Sequence, residues 1–157
     1  MRAPDRHPMG AGWQWYPIPL EGGVEVADRV ADDFAAWLSS AVADASSVGL
    51  LGFSQGSSIA VQVLRRHPDL VSYVLVLSGL MSPAPDPGDA VLAEHPHPVF
   101  WGHGTADLVI EPVHVARLGE WLPGHSILTR RSYPGLGHGI SDEELVDVNA
   151  FLREQLG

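Results

Sequence analysis

Three residue types capable of nucleophilic chemistry recur in Gly-rich contexts along this chain, and the first of them anchors the reading. Ser54 lies in V-G-L-L-G-F-S-Q-G (48–56), between Gly52 and Gly56 at the end of a short apolar run. Helix-periodic residues Ile59, Ala60, Val63 and Leu64 follow at once on one stripe. That is strand, tight turn, helix. A G-x-S-x-G at such a junction is the nucleophile elbow, in which the serine sits on a strained turn and a side chain at either glycine is expected to collide with the neighbouring strand or helix. The helix behind it aims its N-terminal amides and positive dipole end at Ser54 and at any oxyanion formed there. A Gly-flanked serine in an ordinary strand-to-helix turn gives the same five-residue pattern, so the assignment needs partners downstream.

Two downstream segments supply them. P-V-F-W is followed by G-H-G-T-A-D-L-V-I, placing Asp107 in a Gly-rich loop, and Y-P-G-L-G-H-G-I-S places His138 between Gly137 and Gly139 ahead of the last helix. In a parallel sheet, functional side chains collect at the carboxyl ends of the strands. The order Ser54, Asp107, His138 is that of the α/β-hydrolase triad and differs from the orders used by other serine hydrolase folds. Each candidate has a plainer role open to it: Asp107 as the cap of a turn, His138 as a hydrogen-bonded loop histidine. His103 reads as a structural loop residue. His95 and His97 in H-P-H-P have only Glu94 as a carboxylate at ligand spacing, which argues against zinc.

The elements that must position these residues follow from periodicity. From Val26 to about Val42, apolar residues at 27, 30, 34, 38 and 41 oppose Asp28, Arg29, Asp32 and Asp33, an amphipathic helix. Val48–Phe53 reads as a strand too apolar for one-sided burial, hence central and parallel. The elbow helix is expected to end near His67 and Pro68. Strands follow at 73–78, Pro98–Trp101 and Ser126–Ser132, with a helix opened by Glu111 and Pro112 and a proline-rich loop at 82–98, whose position suggests a partial lid. Ser141 and Glu144 form an S-x-x-E capping box ahead of Leu145, Val148, Leu152 and Leu156. Positions 1–23 are irregular, broken by prolines and by Gly22 and Gly23, with Trp13, Trp15 and Tyr16 adding apolar cover. Alternating strands and helices predict one α/β domain over 1–157 with a mostly parallel sheet.

Composition narrows the function classes. Nineteen acidic against nine basic residues leave a formal charge of -10, which repels nucleic acid and anionic membrane surfaces. With no cysteine there is no thiolate nucleophile, disulfide framework or Cys-ligated zinc, so covalent chemistry must use oxygen. No apolar run reaches the length of a membrane span, and the N-terminus lacks a signal-peptide core; a cytoplasmic location is the expectation.

On G-F-S-Q-G (52–56), S-G-L (78–80), H-G-T-A-D (103–107) with Val109, G-H-G-I-S (137–141), R-A-P (2–4) and W-Y (15–16), the chain resembles the phospholipase/carboxylesterase family of α/β hydrolases, which includes the acyl-protein thioesterases. The resemblance implies an α/β-hydrolase fold and a serine hydrolase acting on small-molecule carboxylic esters or thioesters through an acyl-enzyme, without a cofactor or metal. Ser54 would attack the acyl carbonyl, His138 would take and return the proton, and Asp107 would hold the imidazole. The backbone amide of Gln55 would supply one oxyanion-hole donor, its side chain not being required, and Leu80 and Met81 would line the acyl pocket or the core. Lysophospholipid hydrolysis by the same triad is the alternative reaction.

The front of the chain departs from the family. The strand ending in a His-Gly-type loop, which donates the second oxyanion amide and neighbours the nucleophile strand, has no match here. Its lack implies an N-terminally truncated fold with an unpaired edge at Val48–Phe53. A fragment of a longer chain is the favoured explanation; the others are that a second chain covers the edge, as in a homodimer, or that the N-terminal segment fills the gap. A non-catalytic binding module that kept the sheet is the competing function.

Overall fold

The computed structural model describes residues 3–7, 12–17 and 24–157. Much of the broken stretch expected over 1–23 therefore lies outside the described residues, Gly22 and Gly23 included. Within it, β1 (Asp5–Arg6) and β2 (Trp13–Gln14) form a short antiparallel ribbon.

Helix α1 (Val24–Ala41) is the amphipathic helix expected, but its most buried stripe is Ala27, Ala31, Ala35 and Leu38. Small side chains let α1 lie close against the elbow helix, while Val30 and Phe34 pack along the flank of this seam. The acidic side is not simply solvated: the Asp32 carboxylate takes paired bonds from Arg66 Nε and Nη2 (2.7 and 2.8 Å), and Asp28 accepts from Gln62 Nε2 at 2.8 Å.

Strand β3 (Gly49–Phe53) runs into α2 (Gln55–Arg66), which ends before His67 and a 3-10 turn at Pro68–Leu70. Then come β4 (Tyr73–Leu77), α3 (Gly88–Glu94), β5 (His97–Gly104), α4 (Pro112–His125), β6 (Ser126–Tyr133) and α5 (Asp142–Leu156). The four longer strands pair in parallel in the order β3-β4-β5-β6. Alternation along β4 and β5 divides the core. Val74, Val76, Val99 and Trp101 face α1, α2, α3 and α4; Tyr73, Leu75, Leu77 and Phe100 face α5 through Val148 and Phe151.

Two expectations are corrected. The nucleophile strand is not central, as its apolar run suggested, but lies where the unmatched neighbouring strand implied: among the described residues β3 ends the sheet, with Leu50 buried under α2 and Leu51 55% exposed on the other face. Its apolar run reflects burial on one face and an open edge, which composition alone cannot separate from burial on both. The loop at 82–98 contains α3, whose Leu92 is fully buried in the core. The prolines at 83, 85 and 87 confine the irregular backbone to the first part of that segment. Among the described residues, no helix is long and apolar enough to cross a membrane.

The start of α5 is capped as the S-x-x-E pattern requires on one side, with Ser141 Oγ accepting from the Glu144 amide at 3.1 Å. The Glu144 side chain is fully buried against Gly102, where any Cβ would overlap its carboxyl. Burial pushes the Glu144 pKa up, the nearby Ser141 amide opposes this in part, and Asp147 adds to the rise. Over the interval between the ordinary glutamate value and this raised one, the folded chain holds a proton that the unfolded chain releases. Stability from this group is therefore complete at low pH and falls as pH rises through the interval. Glu144→Gln should remove that loss: in urea unfolding, the variant gains stability relative to the parent as the pH is raised from 4 to 8. An unchanged difference at the two pH values would contradict it.

Candidate active site

The elbow is built by backbone geometry. Ser54, between β3 and α2, has φ 54 and ψ -123, a left-handed conformation unusual for a residue with a side chain. Its amide donates to Leu77 O at 2.9 Å, and its carbonyl accepts from the amides of Ser57 and Ser58 (3.0 and 3.3 Å), so strand and helix are bonded straight through the turn. The two flanking glycines differ. A Cβ at Gly52 would overlap the backbone of Gly56 and Ser57, whereas a Cβ at Gly56 would meet only Trp15 Nε1, at 3.7 Å. The collision expected at either glycine is real at one, because only Gly52 lies in the crossing between strand and helix.

Asp107 follows the end of β5 and does two things. Its Oδ1 accepts from the amides of Val109 and Ile110 (2.8 and 3.0 Å), the turn-capping role that the sequence left open. Its Oδ2 lies 2.8 Å from His138 Nδ1. Burial alone would raise its pKa, but the hydrogen bond from His138 and those from the two amides outweigh it, and the carboxyl is held below the usual range. Asp107 therefore stays ionised at neutral pH.

His138 comes from the loop after β6, which is tied to the β5 loop. Thr105 N donates to Tyr133 O at 3.0 Å and Ala106 N to Leu136 O at 2.9 Å. Gly104 permits this approach, since a Cβ there would overlap the carbonyls of Leu136 and Gly137. The imidazole packs against Phe53, centroids 4.8 Å apart, and its Nε2 lies 2.9 Å from Ser54 Oγ. With Nδ1–H donating to Asp107, Nε2 carries a lone pair and accepts from the serine hydroxyl. Three loops distant in sequence thus bring an alcohol, an imidazole and a carboxylate into one hydrogen-bonded chain. Such a chain can deprotonate the alcohol as it attacks and stabilise the resulting imidazolium.

The chain opens onto a cavity of about 380 Å³ whose wall includes Ser54, Tyr16, Leu80, Met81, Pro83 and Ile110. Leu80 and Met81 both face it, and Met81 is buried in the core cluster as well, so the two roles weighed for that residue coincide. Gln55 begins α2, where first-turn amides have no intrahelical acceptor. Its side chain is not idle. Oε1 accepts from Trp15 N at 2.7 Å and Nε2 donates to Tyr16 O at 2.8 Å, while Tyr16 Oη donates to Ser58 Oγ at 3.1 Å. The amide pins the 15–16 segment as a cavity wall, a function that no local pattern around Gln55 signals.

His103 is separate from this group. It stacks on Trp101 (4.9 Å, 19°) with Nε2 3.3 Å from Ser132 Oγ, and burial followed by the charge of Arg130 lowers its pKa. His95 follows the end of α3 and His97 opens β5; among the described residues no group of three or more His, Asp or Glu could hold a metal ion.

The sequence profile of the Phospholipase/Carboxylesterase family matches residues 1–156. The chain belongs to this family. Among its curated relatives are a protein of Oryza sativa subsp. japonica described as a probable carboxylesterase, 26% identical over 159 residues (90% of this chain, 58% of that protein), and acyl-protein thioesterase 1 of Debaryomyces hansenii, 31% identical over 109 residues (67% of this chain, 47% of that protein). This family member thus spans about half the length of the curated relatives it matches. The crystal structure of Arabidopsis thaliana SOBER1 superposes on 95% of the chain and 77% of its own with a TM-score of 0.75 at 21% identity, a likeness of fold. The sheet with flanking helices is accordingly that of the α/β-hydrolase esterases.

Proposed function

We propose that the chain is a serine hydrolase that cleaves carboxylic ester or thioester bonds of small acyl substrates through an acyl-enzyme. The observation that carries this reading is the continuous relay Ser54 Oγ to His138 Nε2 (2.9 Å) and His138 Nδ1 to Asp107 Oδ2 (2.8 Å) beside an apolar cavity.

In the first half-reaction Ser54 Oγ adds to the acyl carbonyl while Nε2 of His138 takes its proton. Asp107 keeps Nδ1 protonated and stabilises the imidazolium without accepting its proton. The carbonyl electron pair moves to oxygen, where the Gln55 amide at the head of α2 donates a hydrogen bond, an interaction worth about 3 kcal/mol in comparable sites. Collapse expels the alkoxide or thiolate, which receives the proton from Nε2, and leaves Ser54 acylated. Water repeats the sequence, giving the carboxylic acid and free Ser54. Leu80, Met81 and Tyr16 would surround the acyl chain.

A fluorophosphonate probe tests this directly. Labelling is expected on Ser54 and absent from Ser54→Ala, together with hydrolysis of p-nitrophenyl butyrate that the substitution abolishes. A chain folded by circular dichroism whose Ser54 resists the probe would overturn the proposal in favour of a binding module. Comparing butyryl thioesters, p-nitrophenyl esters and lysophospholipids then assigns the leaving group.

A further inference from the structure

Arg65 lies near the end of α2, about three turns beyond the Ser54 turn that precedes the helix, and its side chain is 1% exposed. A guanidinium carries five N–H donors in a rigid plane and stays charged in proteins, so one buried to this degree must be matched donor by donor. Arg65 is. Nε and Nη2 donate to Asp89 Oδ1 and Oδ2 (both 2.7 Å), Nη2 also to Ala84 O (2.8 Å), and Nη1 to Gln62 Oε1 (3.2 Å) and Ser82 O (3.4 Å). The carboxylate pair is of the bidentate, charge-assisted kind.

Two of these acceptors are main-chain carbonyls of the segment that leaves β4 and walls the cavity beside Ser54. Met81, Ser82 and Pro83 line that cavity on one side. A second cavity of about 440 Å³ has the same three residues in its wall, together with Arg65 and Trp121. The 81–83 segment is therefore a partition shared by the two cavities. The far end of the segment is anchored too. Asp86 Oδ1 accepts from Gly88 N at 3.0 Å, and Gly88 lies so close to the Arg65 carbonyl that a Cβ there would overlap it.

From this arrangement we propose that Arg65 is a positioning residue that limits the acyl chain length the site accepts, by holding the 81–85 partition away from the second cavity. The proposal rests on the acyl-transfer reading above. Arg65 touches no reacting atom; it acts by fixing the segment as a wall of the site. Released from the two carbonyl bonds, the partition can yield into the neighbouring cavity and deepen the first.

The test compares p-nitrophenyl butyrate with p-nitrophenyl decanoate for the parent, Arg65→Lys and Arg65→Met. Lysine keeps the charge opposite Asp89 but cannot also reach both carbonyls. In both variants the decanoate-to-butyrate ratio of kcat/KM should rise about tenfold, a discrimination typical of small changes in an apolar pocket. The change should come through KM for decanoate, with butyrate kcat and fluorophosphonate labelling close to parental. A merely structural role would lower both substrates together. Superimposable chain-length profiles in parent and variants overturn the proposal while leaving the hydrolase reading intact, as does loss of the fold in both variants, which would make Arg65 a stability residue alone. A parent that neither labels nor hydrolyses either ester overturns the acyl-transfer reading and this proposal with it.

Discussion

Asp107→Asn is expected to lower kcat for p-nitrophenyl butyrate by about 10⁴, and His138→Ala by on the order of 10⁴ to 10⁶, with the fold retained in both. The asparagine occupies the same space and can still accept from Val109 N and Ile110 N, so the turn survives. What changes is the partner of His138 Nδ1, 2.8 Å away. An amide can present its NH₂ to the ring, which favours the tautomer protonated on Nε2 and leaves Ser54 without an acceptor. The imidazolium also loses its counter-charge. Removing the ring in His138→Ala takes away the base itself and the contact with Phe53. Single-turnover kinetics and fluorophosphonate labelling rates measure both effects at Ser54. An Asp107→Asn variant within threefold of the parent would mean that the relay is not used.

The second large effect concerns stability. Gly52→Ala should destabilise the fold by about 3 kcal/mol or more, the upper range for overpacking, and should abolish labelling of Ser54. Its methyl would overlap backbone atoms of Gly56 and Ser57, which cannot rotate away as a side-chain end can. Relief requires the head of α2 to lift from β3, and that movement breaks the geometry that places Ser54 beside His138. Gly56→Ala is the matched control. Its methyl meets only Trp15 Nε1 at ordinary contact distance, and alanine is the better helix former by roughly 1 kcal/mol, so its stability should equal or exceed that of the parent. Urea unfolding of the pair reads the difference; equal losses in the two variants would contradict the crossing geometry at Gly52.

The elements that carry the site were legible because each rests on local chemistry. The run from Val48 to Leu64 names its own strand, turn and helix through an apolar stretch, two glycines and a helical stripe. The capped turn at Asp107 and the glycine-flanked loop at His138 are marked the same way, and the order of the three residues with the matching segments around them was enough to point to the family. Where strands begin and end was read to within a few residues, except that β5 runs on through His103 and Gly104. The alternation of strands and helices likewise dictated a parallel sheet.

Other features depended on which surfaces meet. Nothing in the residues of G-L-L-G-F distinguishes an edge strand from a central one; the unpaired edge was foreseen only from the family resemblance, and the position of β3 at the end of the sheet is set by which strands pair. Gly52 and Gly56 are equivalent in the motif and differ only because one lies where strand and helix cross. The Gln55 side chain, the buried Glu144 and the five-bonded Arg65 are polar helical residues whose partners come from segments up to 42 positions away. Sequence by itself determined the elements and the candidate groups they carry, because backbone preference and periodicity are properties of neighbours along the chain. Only the tertiary structure decided what those groups touch, because contact between remote segments is governed by shape and by the matching of donors to acceptors across space, which a one-dimensional pattern does not encode.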